Sequence, residues 1–312
     1  MRGKFKGRDF LTLMDYTDEE INLILDTASD LKAKWYRRES HEYLKGRTIA
    51  MIFEKPSTRT RTSFQAAVAH LGAQSFYMRP EEMQLARGEP IKDTARIIDR
   101  YCDGLVIRTY EQKKVEEYAE YMKSPVINAL TDLTHPCQGL ADFLTIKEKK
   151  GRVRGIKLAY AGDVWNVCHT LLIASSILGT NIYVARPKGY DPDSKILKFA
   201  QEKSAKTGAE VIITEDLAEA IHDADVVYAN TWHSMGGPEK EKDKRIRDFA
   251  PYQINLETVK GAKEGFIFMH CLPGYRGEEM TEDIVEGPHS VVFDQGENRM
   301  HTEKALLSLV VP

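Results

Sequence analysis

Ser57-Thr58-Arg59-Thr60-Arg61 gathers three hydroxyls and two guanidinium groups into five consecutive residues. Arginine forms planar, charge-assisted pairs with phosphate or carboxylate oxygens, and hydroxyls add neutral donors that discriminate shape. Together they suit a doubly charged oxyanion, most simply a phosphate. A capped helix start explains less: Thr62 and Gln65 have capping-box spacing, but that leaves two alternate arginines without a purpose. Three more places carry chemistry. Arg108 and Thr109 close an apolar run, a position that is either a ligand edge or a surfacing charge. In His135-Pro136-Cys137-Gln138 an imidazole and an amide can address a carbonyl oxygen, unless they only start a helix. In His270-Cys271-Leu272-Pro273-Gly274 a thiol stands beside His and before Pro-Gly, a candidate pocket edge.

These residues need elements to hold them. The apolar run 49–53 predicts a buried strand, and Phe64, Ala67, Val68 and Leu71 mark one face of a helix. The hydroxyl-arginine stretch therefore falls in a strand-to-helix turn, where unpaired N–H groups and the helix dipole favour an anion. Thr17 and Glu20 form a capping box before the stripe Ile21, Ile24, Leu25, Ala28, Leu31. Residues 32–45 read as a surface connection, 75–78 as a strand, 79–90 as a polar loop containing Gln84 and Arg87, and 91–101 as a helix. A strand at 105–107 puts Arg108 at its C-terminal end, where ligands of open α/β sheets bind. A helix at 115–122 and a short strand at 126–127 follow. Pro136 then suits the first position of a helix running to Lys150, with His135 at its mouth.

Gly151-Arg152-Val153-Arg154-Gly155 reads as a domain joint. Beyond it strands at 156–161, 182–185, 211–213, 226–228 and 266–269 alternate with helices, the pattern of a doubly wound parallel sheet. The turn after Ala161 lacks G-x-G-x-x-G and the chain has no P-loop, which argues against a nucleotide-dependent oxidoreductase. Asn230-Thr231-Trp232-His233-Ser234-Met235-Gly236-Gly237 follows a strand end, and the charged stretch 239–248 reads as a lid or a solvated insertion. Residues 291–293 read as a last strand and 298–309 as a closing helix.

With 312 residues, 42% hydrophobic and 29% charged, the chain can bury two cores. A formal net charge of −3 gives no reason to expect nucleic acid or an anionic membrane. No apolar run can span a bilayer and no secretory segment follows Met1. The four cysteines lack metal or CxxC spacing, so a zinc site or disulfide frame is not expected and a reducing cytoplasm fits.

Taken together, Ser57-Thr58-Arg59-Thr60-Arg61, His135-Pro136-Cys137-Gln138 and His270-Cys271-Leu272-Pro273 resemble the transcarbamylase family over nearly the whole chain. The third motif and Ser234-Met235-Gly236 are similar to its ornithine branch rather than its aspartate branch. The resemblance implies two α/β domains, each a parallel sheet flanked by helices: residues 1–150 for carbamoyl phosphate, 151–297 for ornithine, and a closing helix at 298–312 returning to the first. It implies a transferase of arginine biosynthesis that makes citrulline and phosphate. It also implies a homotrimer, or an assembly of trimers, with shared sites and with neither metal nor organic cofactor. By the same resemblance Ser57, Thr58, Arg59 and Thr60 hold the phosphate. Arg108, His135 and Gln138 hold the carbamoyl end, and Gln84 comes from a neighbouring subunit. Asn166, Asn230, Ser234 and Met235 meet ornithine, while Cys271, Leu272 and Arg299 complete the site. Arg59, Arg108, His135, Gln138 and Cys271 are the expected catalytic set.

One position departs from that pattern in a way that bears on the acceptor. The ornithine enzymes usually carry Asp where this chain has Asn230. An amide accepts a hydrogen bond but brings no charge, and losing a charge-assisted bond costs roughly 1–3 kcal/mol. A carbamoyltransferase for putrescine, lysine or an acylated ornithine is therefore an alternative, as is a non-catalytic phosphate-ligand-binding homologue. Ala86 and Val167 are smaller departures, from the usual Gly and from a frequent Asn.

Overall fold

The computed structural model describes residues 2–233 and 241–312. Two compact units emerge: Met1–Leu144 with Glu297–Pro312, and Thr145–Gly296.

The first unit opens with α1 (Asp18–Tyr36), started by the Thr17/Glu20 capping box. This helix runs on through Trp35 and Tyr36, so the predicted surface connection from Lys32 is in its first part helical. Leu31 is the last buried residue of its stripe, and the polar turns beyond it are carried by continued backbone hydrogen bonding. Then come β1 (Thr48–Phe53), α2 (Arg59–His70), β2 (Gln74–Met78), α3 (Ile91–Tyr101), β3 (Gly104–Arg108), α4 (Gln112–Tyr121), β4 (Val126–Leu130) and α5 (Pro136–Lys150). Two 3-10 turns, Pro80–Glu82 and Gln84–Arg87, occupy the predicted polar loop. The sheet order is β2-β1-β3-β4, all parallel. Residues 49–53 of β1 and all of β3 and β4 are buried, which is why their sequences run apolar without alternating. From β1 the chain steps to β2 on one side and then to β3 on the other. The C-terminal ends of β1 and β3 thus flank a topological switch point, the usual ligand crevice of such sheets.

The second unit repeats the scheme with β5 (Lys157–Ala161), α6 (Asn166–Leu178), β6 (Asn181–Ala185), α7 (Ser194–Thr207), β7 (Val211–Thr214), α8 (Leu217–Ile221), β8 (Val226–Ala229), α9 (Lys242–Phe249), β9 (Ile267–His270) and α10 (Glu282–Val285). Its parallel sheet is ordered β7-β6-β5-β8-β9. The switch point lies between β5 and β8, so the turns at 162–165 and 230–233 share one edge. Gly162 is required there. Its φ is +141°, and a Cβ would stand 2.3 Å from the Asn230 carbonyl oxygen.

The last helix, α11 (Val292–Val310), corrects the predicted strand at 291–293. Only Ser290 bridges to β9, and the chain then turns helical. Val291, Val292 and Gln295 are buried while Phe293 is 65% exposed, a helical spacing that overrides the β preference of two valines. No helix among the described residues is long and apolar enough to cross a membrane.

Candidate active site

At the switch point of the first sheet, Phe53 and Arg108 end β1 and β3 in register. The two following turns are laced together. The Glu54 N–H donates to the Arg108 carbonyl at 2.8 Å. The Glu54 carboxylate takes the Thr109 hydroxyl and lies 3.2 Å from Lys114 Nζ. The anion stretch then enters α2. Thr58 is its N-cap but uses no side-chain cap bond, so the first-turn N–H groups keep their capacity for an outside acceptor. The capping reading of Thr62 and Gln65 does not apply, because the helix has already begun at Arg59.

The hydroxyls and cations then sort themselves. Thr60 is buried, and its Oγ1 accepts from Arg108 Nη1 at 3.5 Å and from Arg299 Nη2 at 3.1 Å. Arg299 comes from α11, where its Nη1 donates to Gln138 Oε1 at 2.8 Å. Gln138, one turn into α5, donates from Nε2 to Asp142 Oδ1 at 2.7 Å. Strand β3 and helices α2 and α11 thus meet on one hydroxyl, and α5 joins them through Arg299. His135 stands beside this cluster at the mouth of α5, 5% exposed. Burial first, then Arg299 and Arg108, hold its pKa well below the ordinary value, so the ring is neutral at neutral pH. A neutral imidazole between two arginines can donate to a carbonyl oxygen without adding charge.

Not every expected residue joins them. Arg59 is half-buried at the first position of α2. Arg61 turns away and lays its guanidinium over the Tyr77 ring of β2, 3.5 Å from the centroid. Residues two apart on a helix do not share a face. The convergence of both arginines of the motif is therefore corrected: Arg61 leaves the turn for Tyr77. Ser57 is half-buried and Thr58 exposed at the same turn, and Gln84 is exposed on its 3-10 turn. Lys55 was not anticipated. It is buried before the anion stretch, its Nζ 4.0 Å from the Tyr110 ring centroid, and burial, then Arg108, lowers its pKa.

In the second unit, Ala229 and His270 end β8 and β9 in register, so Asn230 and Cys271 follow side by side. Cys271 Sγ donates to Asn230 Oδ1 at 3.3 Å, and Asn230 Nδ2 donates to the Tyr160 hydroxyl at 3.0 Å. The Tyr160 hydroxyl spends its single proton on the Asp163 carbonyl oxygen at 2.5 Å. It can only accept from Asn230, and this fixes the amide with Oδ1 toward the thiol. His270 acts from behind: its Nδ1 accepts the Leu272 N–H at 2.8 Å and its Nε2 meets Glu279 Oε1 at 3.1 Å. That shapes the turn carrying Cys271 and Leu272. Asn166 begins α6 at the same sheet edge. Ser234 and Met235 lie outside the described residues.

Several of these partners left no readable mark in the sequence. Tyr160 sits in an apolar strand and meets Asn230 only through the fold. The Arg299/Glu303 pair does have i,i+4 spacing, yet spacing alone suggests a solvated helix pair.

Two family models cover the chain. "Aspartate/ornithine carbamoyltransferase, carbamoyl-P binding domain" matches residues 8–148, and the corresponding "Asp/Orn binding domain" matches residues 154–310. A Pyrococcus horikoshii ornithine carbamoyltransferase is 50% identical over 306 residues, covering 98% of this chain and 96% of its own. A Pyrococcus furiosus relative described as an anabolic ornithine carbamoyltransferase is 50% identical over 305 residues, covering 98% and 96%. The solved ornithine carbamoyltransferase of Pyrococcus furiosus superposes with a TM-score of 0.95 at 50% identity, covering 98% of each chain. That of Thermus thermophilus gives 0.87 at 39% identity, covering 97% and 99%.

Proposed function

Since the chain belongs to the aspartate/ornithine carbamoyltransferase family, we propose that it transfers the carbamoyl group of carbamoyl phosphate to the δ-amine of L-ornithine, giving L-citrulline and phosphate. The observation that carries this reading is the meeting of Arg108 and Arg299 on the Thr60 hydroxyl beside a neutral His135 at a helix mouth. The anabolic relative supports a place in arginine biosynthesis.

Residues 1–150 with the closing helix 298–312 bind carbamoyl phosphate, and residues 151–297 bind ornithine. Ser57, Thr58, Arg59, Thr60 and the mouth of α2 take the phosphate. Arg108, His135 and the Thr58 hydroxyl polarise the carbamoyl oxygen, while Gln138 and Arg299 brace them. A neutral δ-amine attacks the carbamoyl carbon, and the bond from that carbon to the phosphate oxygen breaks. The amine's surplus proton leaves with phosphate. Charge gathering on the carbonyl oxygen meets donors that are already in place. Orientation of the amine by Cys271 and by the Leu272 carbonyl lowers the barrier further. Asn166, Asn230, Ser234 and Met235 receive the amino-acid end of ornithine. The enzyme works in the cytoplasm as a trimer or an assembly of trimers, with Gln84 lent to a neighbouring site.

Asn230 is the one observation that favours another acceptor, because its side chain is uncharged. Phosphate release with ornithine, putrescine, lysine and N-acetylornithine, assayed side by side, decides the matter. Ornithine is expected to lead by orders of magnitude in kcat/KM. A lead for putrescine would remove ornithine and leave carbamoyl transfer standing. Tyr160→Phe is expected to raise the ornithine KM by roughly 3- to 10-fold, the worth of one hydrogen bond that fixes an amide, with the carbamoyl phosphate KM unmoved. Steady-state kinetics that show no change in the ornithine KM would dissolve the link from Tyr160 to the acceptor.

A further inference from the structure

Glu303 is a carboxylate bonded directly to Arg299 of the arginine cluster. It lies one helical turn beyond Arg299 on α11 and is 1% exposed. Its Oε1 accepts from Arg299 Nη2 at 3.0 Å. Its Oε2 is buried and finds no hydrogen-bond partner among the described residues. The Ser63 hydroxyl of α2 lies within 3.2 Å of the Thr60 carbonyl and beside the Glu303 carboxyl, whose pKa it helps to lower. Cys137 faces it from α5, its thiol held protonated by burial. His135 is neutral, and Arg108 reaches the cluster through Thr60. Among the described residues Arg299 is thus the only cation bonded to Glu303, and the same Arg299 nitrogen serves Thr60.

We propose that Glu303 is a positioning residue whose carboxylate holds Arg299 until a dianionic phosphate ligand binds and then takes up a proton. The proposal rests on the assignment of carbamoyl phosphate to this cluster. A dianion arriving beside Arg108 and Arg299 satisfies the charge that had been keeping Glu303 ionised. A second negative charge on the same guanidinium then becomes costly in a buried place. A proton from solvent neutralises it, and Arg299 turns its charge to the ligand. The carboxyl is poised for this step: burial pushes it up to about 7, with Arg299 opposing. The direction is fixed by linkage. Because the bound form holds one more proton, affinity strengthens as pH falls and weakens as pH rises through the carboxyl's range.

The test is calorimetry of the full chain with freshly prepared carbamoyl phosphate at pH 7.5, in Hepes and in Tris, which differ in ionisation enthalpy. The wild type is expected to take up roughly half a proton or more per site beyond Glu303→Gln. Its kcat/KM for carbamoyl phosphate should fall by up to about tenfold per pH unit above 7, where Glu303→Gln is flat. Glu303→Leu, uncharged but unable to hydrogen-bond, should match Gln in proton count even if Arg299 is less well held and turnover falls. Equal proton uptake in the wild type and either variant overturns the proposal. A wild type that binds no carbamoyl phosphate overturns the functional reading, and this one with it.

Discussion

Arg108→Ala is expected to lower kcat by roughly 10²–10³-fold, the cost of removing one preorganised donor to a developing oxyanion, and to raise the KM for carbamoyl phosphate. The reasons lie in its place in the fold. Arg108 is the last residue of a fully buried strand, in register with Phe53, and the carbonyl beside it is tied to the Glu54 N–H. Arg108 is 5% exposed as a residue and its Nη1 lies 3.5 Å from Thr60 Oγ1, so it is held in position before any ligand arrives. Its loss should spare the scaffold, because Thr60 keeps its shorter bond to Arg299 at 3.1 Å. Arg108→Lys should recover little, since an ammonium cannot reproduce a planar fork. Citrulline formation and phosphate release, with thermal unfolding as a check on the fold, measure this. Kinetics within a few-fold of wild type for the alanine variant would remove Arg108 from the reaction.

Much of that cluster was legible in the sequence, and the reasons it was legible also explain what was not. The run 49–53 and the periodic face of Phe64, Ala67 and Val68 located the anion stretch at a strand-to-helix turn, because both signals are local and strong. The structure puts the turn there, between β1 and α2. Arg61 was misread because a motif names residue types but not angles. Once α2 begins at Arg59, its third residue must point elsewhere, and it stacks on Tyr77. Residues 291–293 were misread as a strand because β-branched residues suit strands in general. In this chain the burial of Val291, Val292 and Gln295 against a neighbouring sheet decided for a helix. Tyr160 matters through a contact that spans 70 residues, which no local pattern reports, and the i,i+4 spacing of Arg299 and Glu303 cannot by itself tell a buried pair from a solvated one.

The two sheets share a design that makes the distribution of functional residues intelligible. Each has its reversal of strand order at a central strand, and each places its chemistry-bearing turns there. In the first unit the turns are rich in cations and hydroxyls, suited to a phosphate. In the second they offer an amide, a thiol and backbone carbonyls, suited to an ammonium and an amine. The division of labour follows from composition at equivalent places in two similar scaffolds, without any need for a difference in fold.

Breaking the ion pair between Asp163 and Arg245 is expected to have the largest effect on stability. Asp163 follows β5 and Arg245 lies on α9; their side chains are 5% and 10% exposed. Arg245 Nη2 donates to Asp163 Oδ1, and its Nε donates to the Trp232 carbonyl at 2.8 Å. The guanidinium also lies 4.9 Å from the centroid of the Tyr190 ring. Arg245→Ala takes the paired charge from a buried carboxylate and should cost about 3–5 kcal/mol, seen as a fall of roughly 5–20 °C in the melting temperature. Asp163→Asn combined with Arg245→Met should cost much less than the sum of the singles, because both charges leave together. The backbone bond to Trp232 is lost in both Arg245 variants, and Trp232 lies two residues beyond Asn230. Weaker use of ornithine should therefore follow the loss of Arg245 whether or not stability is restored, with the KM for carbamoyl phosphate unchanged. Additive stability effects in the double-mutant cycle would show that the pair does not couple. An ornithine KM restored along with stability would show that Arg245 reaches the acceptor only through the integrity of the fold.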